Sequence, residues 1–357
     1  MEQGGAIVDQ QQMQSSVEGQ ALVVAKRGAL TENVHKGRIC VVSADSGEVV
    51  ASCGDADAPA YIRSTAKPMQ AIASVRDGMP EACGWSDRHL ALMAASQRGY
   101  PAQMVVLQEM LDTSGVPESA LVFQPAVPLA DDPRDAWARG GGRSSKLYHT
   151  CAGKHLGVLA WCRKAGWPLD GYWSPEHPAQ QAILREVLAW CDADSNVCQI
   201  GRDGCGLPVV AMPLSRIAFG YARLACPDAV AGKWPSSEQS AAAIRRIVQA
   251  MHRHPDLVEG PDRLASLLLR DANIVAKSGA QGLFAIGLRR QRLGIAIHLS
   301  AGTEAAWPHI VLQLLREWGA LSAELETVIH SRFPAEIVND TGMVSGRWET
   351  VFRLRRG

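Results

Sequence analysis

An excess of charge of either sign is missing from this 357-residue sequence, in which Lys and Arg number 36 and Asp and Glu number 36. That balance argues against a binder of nucleic acid or anionic membrane, whose affinity comes from a basic surface. No stretch approaches the ~20 apolar residues a membrane helix needs. Residues 1–20 are polar and Gln-rich, without the basic start and apolar middle of a secretory signal. A disordered tail over 1–20 and a cytoplasmic location are the expectation. Cys-x-x-Cys pairs are absent, and the nine cysteines are an odd number. Reduced thiols fit that pattern better than a disulfide framework. No glycine pattern makes a dinucleotide or P-loop site, since Gly140-Gly141-Gly142 lacks a following Lys-Ser/Thr. There is no internal repeat.

What is present is a globular composition, 47% hydrophobic and 20% charged, which supplies a full core and excludes bulk disorder. Residues 22–25 read as a strand, and 37–51 as two strands joined at Asp45-Ser46-Gly47. Residues 64–75 have helical character, with Pro68 tolerated in the first turn. Helices are expected over 87–95, 155–165, 178–191, 214–224 and 237–252. Residues 273–277, 283–288 and 294–299 are short apolar runs separated by turns, the pattern of an antiparallel meander. A helix over 303–318 and strands over 336–338 and 346–354 close the chain. This order predicts an α/β (α+β) fold, with one antiparallel sheet built from both chain ends and an inserted helical lobe. The single catalytic domain would span 21–357, its sheet lobe about 21–62 and 256–357 and its helical lobe about 63–255. Active sites commonly lie in the cleft between such lobes.

Three constellations carry chemistry. Ser64-Thr65-Ala66-Lys67 follows a strand and opens a helix. Residues i and i+3 share a helix face, so Lys67 can lie beside the Ser64 hydroxyl and take its proton if its pKa is lowered. The plainer alternative is a helix-capping Ser64 and a solvated Lys67. Lys277-Ser278-Gly279 ends an apolar strand. Serine hydrolases of the penicillin-recognising kind combine these two elements in this order. Their Ser-Asp-Asn element is missing, and Ser96-Gln97-Arg98-Gly99 is the candidate central polar loop. The third constellation is Cys151-Ala152-Gly153-Lys154-His155 with Arg202-Asp203-Gly204-Cys205-Gly206. Two cysteines and a histidine are zinc-ligand types, although the spacing is not a metal motif and a lysine ligand must be deprotonated. A nucleophilic Cys151 activated by Lys154 and a helix start is the competing reading, and two unrelated turns the plainest. Cys40, Cys162, Cys191 and Cys226 lie in apolar contexts and read as core.

Taken together, Arg63 to Pro68, Cys151 to His155, Asp203 to Gly206 and Val275 to Ala280 resemble the signature set of the Rhizobium etli-type L-asparaginases. The segment Glu32 to Gly37 is similar to that family's first strand region, and the resemblance runs from about residue 22 to 350. It implies a fold like the serine β-lactamases and glutaminases, a homodimer, and hydrolysis of L-asparagine to L-aspartate and ammonia through an acyl-enzyme. It implies one Ser–Lys tandem of Ser64 and Lys67 and a second of Ser96 and Lys277. Cys151, Lys154 and Cys205 match residues that hold a zinc ion. Asp203 matches a neighbour of that site, and Arg63, Asp203 and His155 are the candidates for substrate contact. The sequence departs from the family where Gln97, Arg98 and Tyr100 replace a Ser-His-x-x-Glu-like segment. Gln281 stands in place of a glutamate, and Ala152 in place of a serine. A small-amide hydrolase with another substrate, a penicillin-binding or β-lactamase activity, and a silent ligand-binding relative are the alternatives.

Overall fold

The computed structural model describes residues 19–357. Residues 1–18 of the expected tail lie outside the described residues, and the chain enters its first strand at Gln20. The strands are β1 (Gln20–Arg27), β2 (Leu30–Ser43), β3 (Val49–Cys53), β4 (Pro59–Tyr61), β5 (Gln199–Arg202), β6 (Pro208–Pro213), β7 (Ile274–Ser278), β8 (Leu283–Leu288), β9 (Leu293–Leu299), β10 (Glu336–Val338), β11 (Val344–Thr350) and β12 (Arg355–Arg356). Nine of them form one antiparallel sheet in the order β10-β11-β1-β2-β9-β8-β7, with β3 also on β2 and β12 on β3. The sheet is therefore built from both chain ends. The segment between them is mostly helical, with a small sheet β4-β6-β5 of its own.

Each element follows from where its apolar residues fall. Strands β7, β8 and β9 are buried almost throughout, which is why they read as continuous apolar runs. In β2, Ile39 and Val41 join the core on one face, together with the helix Trp307–Glu317. Cys40 and Val42 join the core on the other face, which continues through the helical segment. The helix Leu214–Ala225 sits directly on that second face. Gly287 of β8 and Gly294 of β9 are cross-strand partners, and a Cβ there would come within 2.3 Å of Tyr221 O and 1.9 Å of Ala218 O. Only glycine lets the helix backbone approach so closely.

Several boundaries match the pattern closely, as in Pro178–Cys191, β8 and β10. The helix expected over 64–75 is instead a 3-10 turn, Arg63–Ala66, followed by short α segments Lys67–Gln70 and Ile72–Arg76. Helices Pro101–Ser114, Asp131–Arg139 and Ala323–Arg332 and strands β5 and β6 were not expected. Asp131–Arg139 buries no residue, so it has no apolar stripe to read. No helix among the described residues is long and apolar enough to cross a membrane.

Candidate active site

The chain leaves β4 through Arg63, whose backbone is left-handed at φ 46°. That conformation is uncommon for a residue with a Cβ and clusters at functional turns. It starts the 3-10 turn that carries Ser64, and the Lys67 N–H then bonds Ser64 O. Tyr221, fully buried on the glycine-seated helix, donates to Thr65 O at 2.8 Å. Thr65 Oγ1 bonds Ile62 O. Across the cleft, a Cβ on Gly279 would lie 3.2 Å from Thr65 Cγ2, so the end of β7 packs closely on this turn.

The lysines converge on the second serine. Lys67 Nζ donates to Ala95 O at 2.5 Å, lies 3.1 Å from Ser96 Oγ, and reaches Thr150 O at 3.3 Å. Lys277 Nζ lies 3.0 Å from Ser96 Oγ and 2.9 Å from Ser278 O, and it pairs with Glu259 Oε1. Ser64 Oγ hydrogen-bonds no described residue and is half-buried. Lys67 and Lys277, from opposite sides of the cleft, thus share Ser96. Glu259 Oε1 also accepts from Ser278 N at 3.0 Å and Ser278 Oγ at 2.6 Å. Both ion-pair partners are almost fully buried, Lys277 at 0% and Glu259 at 1% exposed. Burial pulls Lys277 down to about 8; Glu259 opposes that fall, while Lys67 adds to it. Burial works against the Glu259 carboxylate, yet Lys277 and Ser278 bring it to about 2.

Glu259 is the residue that the sequence reading missed. It stands 18 positions before Lys277, and only the fold brings the two together. Its one local sign is an acid in the apolar run Leu257-Val258-Glu259-Gly260.

The Ser96 loop is clamped from three sides. Ser96 N bonds Val258 O at 2.8 Å. Gln97, fully buried, donates to Leu147 O at 2.9 Å and His149 O at 2.8 Å and accepts from Gly99 N at 2.6 Å. Gln103 Oε1 accepts from Arg98 N at 2.9 Å. Gln97 therefore ties Ser96 to the segment leading into Cys151. Gln97→Ala should cost about 1–3 kcal/mol, because two buried carbonyls and an N–H lose their partner. Gln97→Glu should not restore it, since a carboxylate cannot donate to those carbonyls. Denaturant midpoints for both variants read the effect. Arg98 and Arg263 share Glu304, and Gln281 lies exposed in the β7–β8 hairpin at φ 61°.

The third constellation also comes together. The helix Ala152–Ala165 begins against the helix Asp87–Met93, and a Cβ on Gly153 would lie 2.2 Å from Leu92 O. That approach seats Cys151 and Lys154 in the interior. Lys154 Nζ lies 3.2 Å from Cys205 Sγ, and all three residues are buried. The neighbouring Cys205 thiol leads in holding the Cys151 thiol well below its ordinary range, against burial and with help from Lys67 and Lys154. The same contact and burial push Cys205 up. Burial opposes the Lys154 ammonium, but Cys205, Cys151 and Asp203 overcome it. Two sulfurs and an amine so placed fit a zinc ion, which would take over the role of the ammonium charge. Among the described residues no group of three or more His, Cys, Asp or Glu gathers as a metal site. The candidate set contains only two residues of those types, its third donor being a lysine.

Arg63 Nε lies 2.9 Å from Asp203 Oδ1, an ion pair without hydrogen-bond alignment. It joins the Ser64 turn to the Cys205 loop. His155 is fully buried, with Nδ1 2.7 Å from the Tyr172 hydroxyl and its ring edge-on to Phe123. Burial pulls its pKa well below the ordinary histidine range.

Comparison of the sequence with curated proteins gives no match. Among solved structures, a β-lactamase from Mycobacterium bovis is 14% identical, covers 79% of this chain and 94% of its own, and has a TM-score of 0.39. A putative β-lactamase from Bacteroides dorei is 12% identical over 78% of this chain and 92% of its own, with a TM-score of 0.39. A Bacillus glutaminase is 13% identical over 80% of this chain and 91% of its own, with a TM-score of 0.35. The assignment rests on sequence instead. The profile of the L-asparaginase II family matches residues 23–350, a span that contains Ser64, Ser96, Cys151, Cys205, Glu259 and Lys277. The chain belongs to the L-asparaginase II family.

Proposed function

We propose that this protein hydrolyses L-asparagine to L-aspartate and ammonia, with Ser64 as nucleophile. The observation that carries the reading is the Ser96 hydroxyl held between Lys67 and Lys277, with Ser64 one turn before Lys67, in a chain of this family. Ser64 Oγ bonds to the side-chain amide carbon, and its proton passes to Lys67. Backbone N–H groups at the start of the helical turn have no partner within it and serve the developing oxyanion. The C–N bond breaks, and ammonia leaves with a proton delivered through Ser96. Lys67 then takes a proton from the water that attacks the ester and returns it to Ser64 as aspartate departs.

Cys151, Lys154 and Cys205 would hold a zinc ion. When bound it would fix the pocket wall and orient substrate, its Lewis acidity weakened by two thiolates. Purified protein should carry about one zinc per chain, and Cys151→Ser should lower that content at least about 10-fold at fixed free zinc, as read by elemental analysis. The function itself is tested by ammonia release from L-asparagine, with L-glutamine in parallel. Silence on both amides would reject the reading.

A further inference from the structure

Lys67 and Lys277 both reach Ser96 Oγ, yet their other partners differ. Lys277 Nζ faces Glu259 Oε1, Ser278 O at 2.9 Å and Ser96 Oγ at 3.0 Å. An ammonium has three donors and no lone pair, and three acceptors including a carboxylate match it. Lys67 Nζ faces two carbonyls, Ala95 O at 2.5 Å and Thr150 O at 3.3 Å, and then Ser96 Oγ at 3.1 Å. No carboxylate touches Lys67, so of the two lysines it is the one suited to the neutral form, with a lone pair for the serine proton. Ser96 can then accept from Lys277 and donate to Lys67.

We propose that Glu259 is a positioning residue for the reaction. By pairing with Lys277 it fixes the cation on that side of Ser96 and leaves Lys67 as the neutral base. This division sets the direction of proton movement, from Ser64 to Lys67 and, through Ser96, to the departing ammonia. Lys277 holds its proton throughout as donor to Ser96. The identity of the leaving group rests on the amidohydrolase reading, whereas the division of charge does not.

The charged groups around the pair are few. Lys277 is faced by Glu259, Lys67 and Arg98. Glu259 is faced by Lys277, Arg263 and Arg98, with the Tyr221 phenol nearby. Glu259 is therefore the counter-ion in direct contact with Lys277.

The test is an NMR titration of isotope-labelled lysine side chains in the full protein, with Lys277→Met to assign the signal. Lys277 should be charged at pH 7 and lose its proton no lower than about 8, since a neutral Lys67 adds no repulsion. In Glu259→Gln that midpoint should fall by about 1–3 units, because an opposite charge in contact has been removed. The alkaline limb of kcat should fall with it, and Glu259→Asp should restore part of the shift. A Lys277 that is neutral at pH 7 in the wild type would overturn the proposal. So would an unmoved midpoint, or a loss of activity uniform in pH. If Glu259→Gln does not fold, the wild-type titration decides alone. If no amide is hydrolysed, the amidohydrolase reading falls while the titration still tests the charge division.

Discussion

Ser64→Ala should lower kcat for amide hydrolysis by about 10⁴–10⁶-fold and leave the fold and Tm nearly unchanged. The side chain is half-buried, and its hydroxyl bonds no described residue, so its removal orphans no partner. Substitutions of that kind stay within about 0.5 kcal/mol. The turn around it is held independently, by Tyr221 on Thr65 O and by Thr65 on Ile62 O. Ser96→Ala should behave differently. It removes the shared partner of Lys67 and Lys277, leaving a donor on the Lys277 side of the cleft and the Lys67 nitrogen on the other without it. A proton-relay role predicts a smaller loss in kcat, about 10²–10⁴-fold, together with a measurable loss of stability. Side-by-side kcat and Tm values separate the nucleophile from the relay. Equal kinetic losses with equal destabilisation would fit neither role.

Glu259→Ala should destabilise the protein by about 3–5 kcal/mol, because it leaves the buried Lys277 charge uncompensated. Against a total of about 5–15 kcal/mol, that is a large fraction. The double variant Glu259→Leu with Lys277→Met should recover most of the loss, since replacing a buried pair with apolar groups is often neutral or better. The double variant should not hydrolyse amides. The pair also predicts the acid response. Glu259 has a folded value of about 2 against 4.5 ordinarily. Its contribution is therefore fully present above pH 4.5 and is lost as pH falls from there toward 2. Denaturant midpoints against pH should show this limb in the wild type and lack it in the double variant.

The parts of the site that were legible in the sequence are those that sit at element boundaries. Ser64-x-x-Lys67 at a helix start and Lys277-Ser278-Gly279 at a strand end carry their context with them. Their partners were less legible. Helical spacing places Lys67 beside Ser64, yet its Nζ is drawn to Ala95 O and Thr150 O, carbonyls brought in by two other loops. Local periodicity has no access to that competition. Glu259 belongs to the same class, because only the sheet edge and the segment before it place the acid against Lys277. Gln97 looked like a lost histidine and is instead a buried clamp on Leu147 O and His149 O. The carboxylate that seemed absent near Ser96 arrives from Glu259. At the level of the fold, the fully buried β7 to β9 runs were plain, while the surface helix Asp131–Arg139 carried no apolar signal at all.

The most direct test of the account is the location of the covalent intermediate. Turnover of L-asparagine would be stopped in acid within the first catalytic cycles and the peptides mapped by mass. The account predicts an aspartyl group on the peptide that carries Ser64, absent from the Ser64→Ala variant. An aspartyl group on Ser96 or Cys151 instead would contradict it.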